Sequence, residues 1–89
     1  MADNIFFSEE AKLDIYKAKC QYDLAQKGDL FLDDIFNTLE FVKLIPQAFR
    51  VRYNLMRIVA LNHLNFTLHY EIKGEEIKVY RVLNQRQNY

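Results

Sequence analysis

The last third of the chain constrains the fold most. Phe66-Thr67-Leu68-His69-Tyr70-Glu71-Ile72-Lys73 alternates apolar and polar side chains, the period of a strand with one buried face. Lys73-Gly74-Glu75 follows as a turn, because Gly74 can take the positive φ that a tight reversal needs. Glu76-Ile77-Lys78-Val79-Tyr80-Arg81-Val82-Leu83 then returns as a second strand, rich in β-branched and aromatic residues. The polar tail Asn84-Gln85-Arg86-Gln87-Asn88-Tyr89 continues from it and carries a cation and a phenol to the sheet edge.

Upstream of the hairpin the period changes. Ile5-Phe6-Phe7 reads as a short strand, and Ser8 as the N-cap of a helix with Glu9 and Glu10 in its first turn. That helix is predicted to run to about Lys27 and stop at Gly28. Asp29 is placed to cap a second helix, which Pro46 ends. From Phe49 to Leu61 the run is β-like, with a break near Asn54. The predicted architecture is α+β: a small antiparallel sheet with an N-terminal strand and an α-helical hairpin on one face, in the order β-α-α-β-β-β.

Eighty-nine residues make one domain, spanning 1–89. Half of them are apolar and only three are Gly or Pro, which excludes extended disorder. No apolar run approaches the roughly 20 residues of a membrane span. Met1-Ala2-Asp3-Asn4 lacks the features of a signal peptide. Cys20 is alone, so neither an internal disulfide nor a thiolate cluster is expected. The expectation is a soluble cytoplasmic protein without cofactor or metal.

The first helix carries two stripes. Ala11, Ile15, Ala18, Tyr22 and Ala25 line one face, and Leu13, Tyr16, Cys20 and Leu24 the opposite one. Two stripes predict a helix covered on both sides within the domain. The alternative is that the Leu13, Tyr16 and Leu24 side serves a partner or a second copy of the chain. On the second helix Leu32, Ile35, Phe36, Leu39 and Val42 form a core face, and Asp33 and Asp34 are explained by solvent and the helix dipole.

Charge is balanced overall but not along the chain. Residues 1–45 hold five lysines, no arginine and nine acids, whereas 46–89 hold five arginines, two lysines and three acids. Either the two halves attract each other, or the arginine-rich half meets phosphate or carboxylate, which the guanidinium fork binds through two parallel bonds. His63 and His69 are six residues apart and do not match a zinc-ligand spacing. His69 shares the parity of Thr67 and Glu71. It is expected either in solvent or in a groove with Arg57 and Arg86, whose guanidinium groups are expected together on the solvent side of the sheet.

The run Val82-Leu83-Asn84-Gln85-Arg86 resembles the close of the RelE/ParE superfamily, toxins of type II toxin–antitoxin pairs, and Leu68-His69-Tyr70 matches its paired-aromatic position. Element order and length match over nearly all of the chain. The resemblance implies a toxin of a plasmid-stabilisation system with a cognate antitoxin, acting on DNA gyrase in the ParE branch or on messenger RNA at the ribosome in the RelE branch. For a ribosome-dependent endoribonuclease it implies Arg57 and Arg86 as phosphate clamps and His69 or Tyr89 as the acid–base group. Three departures favour the ParE branch. Asn84 replaces a histidine found in many relatives, the chain is neutral where ribosome-directed toxins are basic, and residues 46–56 hold no lysine or glutamate. Arg50, Arg52, Arg57 and Arg86 are then expected at the target and Leu13, Tyr16 and Leu24 at the antitoxin. A toxin-like fold kept as a non-toxic interaction module is the third reading.

Overall fold

The computed structural model describes residues 4–85. The elements follow in the order β1 (Asn4–Phe7), α1 (Glu9–Asp23), α2 (Gly28–Leu44), a 3₁₀ turn (Pro46–Ala48), β2 (Val51–Tyr53), β3 (Met56–Ala60), β4 (Phe66–Lys73) and β5 (Glu76–Asn84). The architecture is the expected α+β one. The run after Phe49 divides into β2 and β3, and their two-residue turn falls at Asn54, where the break was predicted.

The sheet is mixed, in the order β1-β5-β4-β3-β2. Strands β2 to β5 form an antiparallel meander. β1 instead joins β5 in parallel, with Ile5 opposite Ile77 and Phe7 opposite Val79. The helical hairpin carries the chain from β1 to the far edge of the sheet, and the meander walks back until β5 lies beside β1.

Beyond Val79 β1 no longer covers β5, and the start of α1 takes over that edge. The backbone N–H of Ser8 donates to the Val79 carbonyl at 2.9 Å, and the Ser8 hydroxyl donates to the Tyr80 carbonyl at 2.7 Å. The same hydroxyl accepts from the Ala11 N–H at 3.0 Å, the N-cap bond expected of it. Asp14 accepts the Val82 N–H at 2.9 Å. Ladder groups that would otherwise be free on an edge strand are thus paired.

The helices meet as the periodicity predicts, with two exceptions, Phe36 and Ala25, the latter exposed in the turn beyond the end of α1. Ala11 and Ala18 of α1 and Phe31, Ile35, Leu39 and Val42 of α2 are buried against Val59, Leu68, Tyr70, Ile77, Val79 and Val82 of the sheet. Tyr22, Phe31 and Phe66 form an aromatic cluster with centroids 5.3 to 6.1 Å apart. Phe36 was expected in this core but is exposed. One turn beyond the half-buried Leu32, it lies at the margin of the apolar stripe.

The link between the helices corrects the predicted boundaries. α1 ends at Asp23 and Gly28 belongs to α2. Gln26 takes the left-handed position, with φ of 59°. The Lys27 N–H returns to the Tyr22 carbonyl and the Gln26 N–H to the Asp23 carbonyl, the bond pair of a Schellman cap. Glycine at position 28 leaves room for the exposed Asp23 carboxylate: a Cβ there would lie 1.7 Å from Asp23 Oδ1, and that flexible side chain would have to swing aside. Asp29 sits in the first turn of α2, whose N-cap is Lys27, with no side-chain cap.

Candidate functional site

The register decides which side chains share a face, because residues directly opposite in an antiparallel ladder project to the same side. Arg57 is opposite Tyr70, and Val59 is opposite Leu68. Tyr70 and Leu68 face the helices, so Arg57 lies on the helix side too. Its guanidinium donates to the Phe49 carbonyl, bracing the segment that leads into β2. His69 is opposite Ile58 and Arg81, on the other face. The predicted grouping of Arg57 with His69 is therefore not formed.

His69 is fully buried, not solvated. Its Nδ1 meets the Tyr53 hydroxyl at 2.7 Å, and its Nε2 meets Thr67 Oγ1 at 3.1 Å. Thr67 Oγ1 donates to the Leu83 carbonyl, which accepts only. The Thr67 oxygen must then accept from His69 Nε2–H, leaving Nδ1 to accept from Tyr53. One direction of donation runs from β2 through β4 to β5. Burial holds the His69 pKa below 6.5, the Arg81 guanidinium lowers it further, and Asp14 opposes both.

Arg81 and Asp14 were not singled out by the sequence. Arg81 Nε and Nη2 reach the two carboxylate oxygens of Asp14 at 2.7 and 3.1 Å, a two-pronged clamp joining α1 to β5. The only sequence hint was that Asp14 borders the small-residue stripe.

Asp34 also departs from its expected solvated role. It is 1% exposed and accepts the backbone N–H groups of Asn62, His63 and Leu64 at 2.9 to 3.1 Å. The carboxylate fixes the loop between β3 and β4 to α2. Tyr70 is anchored similarly, its hydroxyl donating to the Pro46 carbonyl at 2.8 Å. Burial pushes its pKa up to about 12 against the opposing charge of Arg57.

Two of the open surfaces carry residues singled out in the sequence. The first is the outer stripe of α1, where Leu13, Tyr16 and Leu24 are 54%, 66% and 89% exposed and Cys20 is an exposed free thiol. The expectation that the domain would cover this helix on both sides is overturned, because the sheet and α2 together contact only its small-residue side. The second is the β2–β3 hairpin, with Arg50 and Arg52 exposed and Val51, Tyr53 and Leu55 open around them. Arg86 and Tyr89, the predicted phosphate clamp and phenol of the tail, lie outside the described residues.

Residues 5–89 match the family model described as the ParE toxin of type II toxin–antitoxin systems, parDE. No curated protein matches the chain. Among solved structures, one from P. aeruginosa described as a chromosomal ParDE toxin–antitoxin system superposes with a TM-score of 0.67 at 20% identity, covering 94% of this chain and 96% of that one. At that identity the likeness concerns the fold. The five-stranded sheet with its helical hairpin and the family match over residues 5–89 lead to one conclusion: the chain belongs to the ParE toxin family of type II toxin–antitoxin systems.

Proposed function

We propose that this toxin arrests growth by acting on DNA gyrase, and that its cognate antitoxin docks on the open stripe of α1. The observation that supports gyrase over messenger RNA is the division of the nuclease candidates. Arg57 and His69 lie on opposite faces, and both ring nitrogens of His69 are engaged inside the sheet. A general acid or base must reach the proton it transfers, and a buried, doubly bonded imidazole is poorly placed to do so. Arg50 and Arg52 are the cations offered to the target. Leu13, Tyr16 and Leu24 are the apolar anchors offered to the antitoxin. A gyrase poison works in the cytoplasm, and no described helix is long and apolar enough to cross a membrane.

The test compares two purified reactions. In a supercoiling assay with gyrase, the chain is expected to block supercoiling or to accumulate cleaved DNA. In a translation reaction, messenger RNA is expected to stay intact. Cleavage at codon boundaries that requires ribosomes would establish the nuclease reading instead. Induced expression without growth arrest would favour the non-toxic interaction module.

A further inference from the structure

The turn of the β2–β3 hairpin is built from an unusual pair. Tyr53 is opposite Met56, so Asn54 and Leu55 alone make the turn. Both have positive φ, 44° and 65°. A two-residue turn with both central residues left-handed is the type I′ reversal that suits strand twist, and Asn-Gly is its favoured sequence. Asn is an ordinary occupant of the first position. Leu at the second is not, because its Cβ crowds the backbone there. The strained side chain gains little burial in return: Leu55 is 69% exposed. An apolar residue held in strain and pointed at water is what a contact site outside the molecule would require.

The surroundings indicate the partner's chemistry. No Asp or Glu occurs between Glu40 and Glu71, an interval that contains Lys43, Arg50, Arg52 and Arg57. Arg50 and Arg52 are exposed, and among the described residues neither is in an ion pair. The tip is also braced. Tyr53 is bonded to buried His69, and Arg57 holds the Phe49 carbonyl at the hairpin's base. A short edge strand fixed at both ends presents its side chains with little left to order on binding.

We infer that the β2–β3 hairpin is the contact finger for the toxin's target, with Leu55 entering an apolar pocket on an acidic protein surface and Arg50 and Arg52 meeting the carboxylates around it. The inference rests on the proposed toxin activity and deepens it by separating two sites. The antitoxin takes the outer stripe of α1, and the target takes the finger.

Leu55→Gly tests this with opposite expectations for stability and function. Glycine suits the left-handed position, so the variant is expected to melt at or above the wild-type temperature. It is also expected to co-purify with the antitoxin as the wild type does. Growth arrest on induced expression should fall by at least tenfold, and Arg52→Glu should reduce it likewise. Arrest by Leu55→Gly equal to wild type overturns the finger. Loss of antitoxin binding with arrest unchanged also overturns it, and assigns the hairpin to the antitoxin. The supercoiling assay separates this inference from the gyrase reading. If Leu55→Gly loses arrest while wild type leaves gyrase untouched, the finger stands and gyrase is not its partner.

Discussion

His69 shows how a single residue can resemble a catalytic group and be a structural one. Its ring lies between a tyrosine and a threonine on neighbouring positions of the sheet, and hydrogen-bond direction settles its tautomer. The charged form would have to donate at both nitrogens, breaking the bond received from Tyr53. The folded state therefore resists protonation, in keeping with the lowered pKa. The sign follows from linkage. Below 6.5 the unfolded chain takes up a proton that the folded chain refuses, so the stabilisation is complete above that pH. It is lost as the pH falls towards the depressed folded pKa. Thermal denaturation of the wild type is expected to show a melting temperature that drops as the pH is lowered from 7.5 to about 5.5. His69→Gln should start less stable and lose most of that slope, whereas His63→Gln, altering an exposed histidine, should keep it.

At the scale of the element, the helical hairpin shows how a helix stop can be read one residue type too literally. Gly28 is the only glycine near the predicted end of α1, and glycine is the usual terminator. Yet the left-handed residue is Gln26, and Gly28 serves a close approach by Asp23. A side chain at φ of 59° carries a cost of about 1 kcal/mol that glycine would avoid. Gln26→Gly is therefore expected to stabilise the domain by about 0.5–1 kcal/mol, measured by urea denaturation. No loss is expected with the side chain, since Gln26 is exposed. A destabilised Gln26→Gly variant would show that the Schellman geometry is not what closes α1.

Across the whole molecule, the two open surfaces differ in chemistry because they come from different halves of the chain. The outer side of α1 belongs to the acidic, arginine-free half, and the β2–β3 hairpin to the arginine-rich half. Part of that asymmetry is used internally, as Arg81 bonds Asp14 across the two halves. The rest is left at the surface. Burying Leu13 and Tyr16 under a partner helix would each contribute about 1.5–3 kcal/mol before ordering costs. Leu13→Asp combined with Tyr16→Asp is expected to weaken antitoxin binding by about 100-fold or more, near 3 kcal/mol, in co-purification or calorimetry. Both positions are exposed, so the fold should survive. Wild-type affinity in the folded double variant would move the antitoxin elsewhere.

Much of this molecule is local in origin, and local features were readable. The hairpin at Gly74, the Ser8 cap, the stop before Pro46 and the inward face of α2 each depend on residues within a turn or two of one another. Period and capping chemistry act over that range. What only the tertiary structure decided involves partners far apart in the chain. Asp34 and the amides of Asn62 to Leu64 are about thirty positions apart, and Asp14 and Arg81 are 67 apart. The parity of β4 placed His69 opposite Leu68 and Tyr70, but not against Tyr53, because the face a strand residue occupies is local and what covers it is not. The same distinction governs α1. Its two apolar stripes are visible in the sequence, yet a five-stranded sheet and one neighbouring helix have room to bury only one of them. The other stays open because, among the described residues, no third layer lies over it.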